Sequence, residues 1–115
     1  MRALRPGSWL VQGTLGLAYP GSMESHLCLA EWAKEAGATR YLDINWRPVF
    51  WELAAGGAGG NYEALARERI AAFSQTADVV KLTDEEAEWL CGISGSEAFR
   101  DPSRLASFFP AAKAR

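Results

Sequence analysis

Hydrophobic and polar positions along the chain follow two periods, and each period predicts a different kind of element. Short runs rich in apolar residues are typical of buried strands, whereas apolar residues that recur every three or four positions are typical of amphipathic helices. The pattern predicts strands at residues 9–17, 40–45 and 78–82, and helices at residues 23–36, 61–73 and 84–91. A last short helix is predicted to begin near Asp101 and Pro102 and to include Leu105, Phe108 and Phe109.

Residues that favour helix ends flank two of these predicted helices. Ser22 is expected to be the N-cap of the first helix, and Gly37 is expected to end it. Thr83 and Glu86 have the spacing of a capping box, in which each side chain accepts a hydrogen bond from the other residue's backbone N–H. Gly92 is expected to end the helix that this box begins.

The order of the elements predicts an α/β fold. Strands that alternate with helices are typical of a parallel sheet whose strands are joined by right-handed crossovers. Residues 56–60, with the sequence GGAGG, are expected to form a flexible insertion loop that is too short to separate two cores. We therefore expect residues 1–115 to form a single domain.

Composition narrows the possible partners and compartment. A net charge of −2 and the lack of a basic cluster argue against nucleic acid, and no apolar run reaches the roughly 20 residues that cross a bilayer. The N-terminus lacks the apolar stretch of a secretory signal, so we expect a soluble intracellular protein of the cytoplasm or a plastid. Cys28 and Cys91 have no partners at metal spacing and are expected to be reduced, structural residues.

Polar residues follow the predicted strands, at the end of a parallel sheet where ligands usually bind. After the second strand, Asp43 and Asn45 can share hydrogen bonds with a hydroxyl group, and Arg47 offers a fork of donors suited to phosphate or a polyhydroxylated ligand. These residue types suit a sugar-like ligand. The alternative to ligand binding is that Asp43 and Arg47 form an ion pair with each other at the end of the strand. Thr14 and the glycines beside it are the corresponding candidates in the first strand segment.

The segment after the third strand is a candidate phosphate and metal site. Lys81 and Thr83 are suited to phosphate oxygens, and Glu86 can bind Mg²⁺ through water, because hard cations prefer oxygen ligands. The structural alternative for Glu86 is the capping box. The two roles are compatible, since a capping carboxylate can also face a ligand.

Other conspicuous residues favour structural roles. Residues 56–60 neither follow a strand nor carry the Gly-Lys-Ser/Thr ending of a phosphate loop. His26 has no nearby nucleophile and is expected to be a surface or packing residue. We expect Trp46, Phe50 and Trp51 to pack against the sheet.

Three segments together resemble the ribokinase-like (PfkB-type) carbohydrate kinases, and most closely their fructokinase and fructokinase-like branch in plants and algae. They are residues 13–18 (GTLGLA), 43–51 (DINWRPVFW) and 77–90 (ADVVKLTDEEAEWL), in the order in which the family carries similar segments. The second and third are the more specific. The resemblance covers nearly the whole chain, which corresponds to about the middle third of a full family member.

The resemblance implies a partial Rossmann-like, three-layer α/β sandwich and an ATP- and Mg²⁺-dependent phosphoryl transfer to a sugar hydroxyl. The family's Asp-x-Asn-x-Arg stretch, which lines the cleft near sugar and phosphates, falls on Asp43, Asn45 and Arg47. Its Asn-x-x-Glu stretch, which helps to place magnesium and phosphate, falls on Thr83 and Glu86, where the Thr departs from the family pattern.

Several parts of the family pattern have no counterpart in this sequence. They are the N-terminal glycine pair, the substrate lid and the Asp-Thr-x-Gly-Ala-Gly-Asp segment that supplies the anion hole and the catalytic base. We therefore expect an internal fragment of a sugar kinase that is inactive alone, because phosphoryl transfer depends on positioning and charge neutralisation. The alternative is a noncatalytic fructokinase-like interaction module of a larger assembly. A parallel sheet with exposed edges is in either case expected to be poorly soluble or to form oligomers.

Overall fold

The computed structural model describes residues 4–56 and 61–112. The strands are β1 (Trp9–Gln12), β2 (Thr39–Asp43) and β3 (Val79–Lys81), and a short 3₁₀ helix (Leu15–Ala18) follows β1. The helices are α1 (Pro20–Ala36), α2 (Pro48–Ala54), α3 (Tyr62–Ser74), α4 (Asp84–Cys91), α5 (Gly95–Arg100) and α6 (Pro102–Ala106).

The three strands form a parallel sheet in the order β1-β2-β3, which confirms the predicted α/β fold class. Tyr41 lies opposite Val11 on one side and Val79 on the other. Because side chains alternate between the two faces of a strand, these three residues share one face and Leu42 points to the other. The two faces have different environments.

The helices cover the face that carries Leu42. Leu42 and Ile44 are fully buried there, in a cluster with Ile70 and Phe73 of α3 and Leu90 of α4. Burial of this cluster is the main stabilising contribution that the sequence pattern predicts. The rest of the cluster consists of Leu17, Trp51, Ala66, Ala77 and Phe109.

The opposite face of the sheet is not covered by any described residue. Trp9 and Val11 on this face are 54% and 67% exposed, and Tyr41 and Val79 are partly exposed. The Cα positions extend over 42 × 39 × 15 Å. This small thickness is that of a sheet with one layer of helices, since adjacent layers lie about 10 Å apart. The described part of the sandwich therefore comprises two layers.

The predicted helix ends are partly confirmed. Gly37 and Gly92 follow α1 and α4 in left-handed conformation, with φ of 71° and 69°, as expected of C-terminal glycines. Ser22 is not an N-cap, because α1 already begins at Pro20, a residue favoured in the first turn. The Ser22 hydroxyl instead donates to the Gly16 carbonyl at 2.6 Å.

The first strand is shorter than predicted. It ends at Gln12, and residues 15–17 of the predicted strand lie in the 3₁₀ helix. Thr14 leaves the extended conformation (φ −108°, ψ −9°), and its buried hydroxyl donates to the Ile44 carbonyl at 2.5 Å. This hydroxyl is thus used to join the segments that follow β1 and β2.

The predictions for the remaining segments have mixed outcomes. Helices α2 and α5 were not predicted. Helix α6 ends at Ala106, so the prediction that it includes Phe108 and Phe109 is wrong, although Phe109 is buried in the core. Of the predicted glycine loop, Gly56 has a φ of 88°, and residues 57–60 lie outside the described residues.

Two further observations concern membrane-spanning helices and the cysteines. In the described ranges, no helix is both long and apolar enough to span a membrane. Cys28 is exposed on α1, Cys91 is partly buried at the end of α4, and both are free thiols.

Candidate functional site

A polar pocket of about 290 Å³ lies where the chain leaves the carboxyl ends of β2 and β3. It is lined by residues of both segments, and this edge of a parallel sheet is where ligands usually bind. Five residues singled out in the sequence line it or cap the adjacent helix: Asn45, Arg47, Lys81, Thr83 and Glu86. Trp46 and Glu85 also line the pocket.

The turn after β2 places residues 45–47 in the lining of this pocket. The ladder ends where the Ile44 N–H donates to the Lys81 carbonyl at 3.0 Å. Asn45 then has a φ of 44°, a left-handed conformation that Asn adopts more readily than most residues. Pro48 begins α2 three residues later, so Asn45, Trp46 and Arg47 form a short, sharply turned connection.

Asp43 pairs with Lys81 rather than with Arg47. The two residues are directly opposite in the ladder, and Asp43 Oδ1 lies 3.6 Å from Lys81 Nζ. Oδ1 is inaccessible to solvent and has no hydrogen-bond partner among the described residues. The alternative ion pair between Asp43 and Arg47 is therefore not observed, and Asp43 adjoins the pocket only through Lys81.

Arg47 and Lys81 are the cationic residues of this pocket, which Glu85 and Glu86 also line. Arg47 is exposed, and no described residue accepts a hydrogen bond from its guanidinium or forms an ion pair with it. The Lys81 side chain is 52% exposed. A cation at the mouth of a pocket, close to a helix N-terminus, is suited to oxyanions such as phosphate.

Glu86 joins the two segments that form the pocket. Its Oε1 accepts from the Thr83 N–H at 2.8 Å and the Thr83 hydroxyl accepts from the Glu86 N–H at 3.1 Å, so the predicted capping box is confirmed. Its Oε2 accepts from the Trp46 N–H at 2.5 Å. We call these contacts the Glu86 clasp. Glu86 is only 8% exposed, which leaves its carboxylate little access to a ligand except through a water molecule.

Aromatic stacking supports the clasp from the core side. The ring of Trp46 stacks on that of Trp89 with centroids 4.0 Å apart, and the Arg67 guanidinium lies 5.2 Å from the Trp89 ring. Glu63 accepts from the Trp89 indole N–H at 2.9 Å. These contacts hold the β2–α2 connection against α3 and α4.

The aromatic residues and His26, which the sequence also singled out, were expected to have structural roles. Trp46 and Trp51 pack against the core as predicted, whereas the prediction for Phe50 is wrong, since Phe50 is 46% exposed on α2. His26 is a packing residue, with its ring 6.3 Å from that of Phe73. Among the described residues, no three His, Cys, Asp or Glu residues cluster as a metal site would require.

Sequence reasoning missed the role of Trp46 and Trp89 in this site. The contact between the Glu86 carboxylate and the Trp46 backbone joins residues 40 positions apart. The spacing of residue types carries no signal for such a contact, because the donor is a backbone group that every residue except proline has. The polar residues at the strand ends were visible in the sequence, and the contact that holds them together was not.

Comparisons with known proteins show that the chain is similar to sugar kinases. No family model matches the sequence. "Fructokinase-1" of Oryza sativa subsp. japonica is 33% identical over 85 residues, which cover 74% of this chain and 24% of the relative. "Fructokinase-2" of Solanum lycopersicum is 31% identical over 98 residues, which cover 85% of this chain and 26% of the relative. The chain thus spans about a quarter of the length of these relatives.

Solved structures show the same similarity in fold. The aminoimidazole riboside kinase of Salmonella enterica matches 92% of this chain and 32% of its own, with 24% identity and a TM-score of 0.69. The fructokinase of Vibrio cholerae O395, in a form with fructose, ADP and a calcium ion bound, matches 91% of this chain and 30% of its own, with 26% identity and a TM-score of 0.64.

Proposed function

Because the chain is related in sequence and fold to the ribokinase-like carbohydrate kinases, we propose that its polar pocket is one part of a site for phosphoryl transfer from ATP to a sugar hydroxyl. The observation that carries the proposal is the convergence of Asn45, Arg47, Lys81, Thr83 and Glu86 at one edge of the sheet. Fructose is the sugar that the names of the matched plant relatives suggest.

Each residue has a role in this proposal. Arg47 and Lys81 bind phosphate oxygens, Asn45 hydrogen-bonds to a sugar hydroxyl, and Thr83 donates its hydroxyl to phosphate. Asp43, which does not line the pocket, positions Lys81 through their ion pair. Glu86, whose two oxygens already accept backbone N–H groups, contacts the hydration shell of Mg²⁺ rather than the ion itself. Bound Mg²⁺ would neutralise charge on the transferred phosphoryl group.

We further propose that the 115-residue chain does not catalyse the transfer alone. Arg47 and Lys81 supply charge and orientation, but the sequence has no Gly-Ala-Gly-Asp segment to supply an anion hole and a base for the hydroxyl proton. Binding of ATP with Mg²⁺ is expected to be weak, since only one wall of a site is present. A noncatalytic role in a larger assembly is the competing function.

A titration of MgATP into the chain tests the binding proposal. Trp46 lines the pocket, so its fluorescence and the amide NMR signals of residues 45–47 and 81–86 report on the site. We expect saturable changes at these residues, and we expect Arg47→Gln or Lys81→Gln to weaken binding by roughly tenfold, the worth of one charge-assisted hydrogen bond. Arg100→Gln, which removes an exposed cation remote from the pocket residues, is the matched control.

Two results would contradict the proposal. Transfer of phosphate to fructose by the chain alone would overturn the proposed lack of catalysis. Signals at the pocket that stay unchanged at millimolar MgATP, or that respond equally in the Arg47→Gln and Arg100→Gln variants, would overturn the proposed phosphate site and favour the noncatalytic role.

A further inference from the structure

Arg40 lies at the opposite end of the sheet from the polar pocket. It is the second residue of β2, and its side chain points to the face covered by helices, as that of Leu42 does. The residue is only 3% exposed. Arginine stays protonated in proteins, so β2 carries a buried positive charge at its amino end.

The contacts of this guanidinium are with neutral groups. Nη1 donates to the Thr76 hydroxyl at 2.5 Å, and Nη2 donates to Gln12 Oε1 at 3.4 Å, a long contact. The guanidinium also lies 4.9 Å from the ring centre of Phe73. Nε has no hydrogen-bond partner among the described residues.

No described carboxylate forms an ion pair with Arg40. The nearest acidic influence is that of Asp78, whose carboxylate accepts a hydrogen bond from the Arg40 backbone N–H at 2.8 Å. Burial lowers the pKa of Arg40, and the charge of Asp78 opposes this effect. A buried cation without a paired anion is costly, so this position favours an added negative charge.

A cavity of about 250 Å³ adjoins this guanidinium, between α1 and α3. Arg40, Lys34 and Thr76 provide its hydrogen-bond donors, and the walls include the apolar side chains of Leu27 and Phe73. Glu31 also lines it. The cavity therefore combines a cationic end with apolar walls.

We propose that this cavity binds a small organic carboxylate that carries an apolar group, with the carboxylate on Arg40 and Lys34 and the apolar group against Leu27 and Phe73. An arginine accepts a carboxylate side-on through Nε and one Nη atom, in two parallel hydrogen bonds. In Arg40, Nε has no hydrogen-bond partner among the described residues and Nη2 has only the long contact with Gln12, so these two donors are not fully used. Nε is inaccessible to solvent, so binding in this pose requires that the cavity wall move.

The charges of the cavity favour a singly charged ligand. Among the lining residues, Arg40 and Lys34 contribute two positive charges and Glu31 contributes one negative charge, and Asp78 reduces the remaining positive charge from outside the lining. A phosphate dianion would exceed this remaining positive charge, and it gains nothing from the apolar walls. The site is independent of the proposed phosphoryl-transfer function, because it lies at the other end of the strands.

A titration with sodium benzoate tests this proposal, with benzamide as the uncharged probe of the same shape. We expect saturable binding of benzoate, observed by isothermal titration and by NMR shifts of Arg40 Nε–H and the Phe73 ring, and much weaker binding of benzamide. Inorganic phosphate, titrated separately, is expected to bind more weakly than benzoate.

Lys34, Glu31 and Glu35 are exposed, so their variants avoid loss of folding. Lys34→Gln is expected to weaken benzoate binding about two- to fivefold, the worth of an exposed charge pair, and Glu31→Gln is expected to strengthen it by a similar factor. Glu35→Gln, which makes the same change at an exposed residue outside the cavity, is the control and is expected to have no effect. Arg40→Lys keeps the charge but removes the fork, and is expected to weaken binding roughly tenfold.

The proposal is overturned by any of three results in the folded chain. They are the absence of saturable benzoate binding, equal binding of benzamide and benzoate, and equal responses of the Lys34→Gln and Glu35→Gln variants. Tighter binding of phosphate than of benzoate would likewise overturn the assignment to organic carboxylates.

Discussion

Gly16 lies where the packing of the chain leaves no room for a side chain. A Cβ atom added at this position would lie 2.2 Å from Cε1 of His26, and the His26 ring is held by a contact of 2.9 Å between Nδ1 and the Ser22 carbonyl. We expect Gly16→Ala to lower the free energy of unfolding by about 1–3 kcal/mol, the usual cost of overpacking. Chemical denaturation measures this change.

Gly21 provides the matched control for Gly16. It lies in the first turn of α1, and an added Cβ meets nothing within 4 Å. Gly21→Ala should therefore leave stability unchanged or raise it by up to about 1 kcal/mol. If steric contact with the ring is the cause, Gly16→Ala should cost much less in a His26→Ala background; an equal cost in both backgrounds would show that the contact is not responsible.

The two cysteines are expected to differ in reactivity. Burial raises the pKa of Cys91 to about 11 from its ordinary 9.0. At pH 8 only roughly 0.1% of this thiol is then the reactive thiolate. We expect iodoacetamide to label the exposed Cys28 well before Cys91 in the folded chain, as followed by peptide mass spectrometry. Equal labelling of both residues at pH 8 would contradict the burial of Cys91.

The raised pKa of Cys91 also makes the stability of the fold depend on pH. The folded-state pKa of Cys91 lies above the ordinary value, so the protonated thiol is favoured by folding. Its contribution is fully present below about pH 9 and is lost as pH rises from about 9 to about 11. Labelling of Cys91 should accordingly accelerate over this range.

At the scale of elements, the Glu86 clasp joins the β2–α2 connection to the start of α4. Both carboxylate oxygens accept backbone N–H groups, and a glutamine offers only one such acceptor. We expect Glu86→Gln to destabilise the fold by about 1–3 kcal/mol, because one buried donor loses its partner. The near-ultraviolet circular dichroism of the Trp46–Trp89 stack should weaken at the same time.

Glu85→Gln is the control for the clasp. Glu85 is exposed in the same turn of α4, and its side chain makes no described hydrogen bond, so the change should cost less than about 1 kcal/mol through the helix dipole alone. Equal effects of the two variants on stability and on the tryptophan signal would show that the clasp does not hold the connection.

The elements that the sequence predicted are those whose determinants are local. Thr83 and Glu86 are three positions apart, and the pattern of residues 61–73 lies within α3, so both could be inferred. Helix α2 was missed, although Pro48 is a residue that is favoured in the first turn of a helix. Helix α5 was missed although Ser94 accepts from the Glu97 N–H, a local signal that the six-residue length of the helix obscured.

At the scale of the whole molecule, the sheet has one covered face and one bare face. Parallel sheets are normally covered on both faces, and the outer edges of β1 and β3 have no strand partner among the described residues. The two-layer arrangement could not be predicted from the strand sequences, because the bare face carries four apolar residues, as a buried face would: Trp9, Val11, Tyr41 and Val79.

Self-association of the isolated chain through this bare face is the expected consequence. Val11 is 67% exposed on β1, and Val11→Lys places a charge where a second layer would otherwise pack. Sedimentation velocity should show oligomers of the original chain whose fraction rises with concentration and falls in Val11→Lys. Ala64→Lys adds the same charge at an exposed position of α3, on the covered side, and should leave the distribution unchanged. A monomer at all concentrations, with one cooperative unfolding transition, would mean that the chain tolerates a bare parallel sheet.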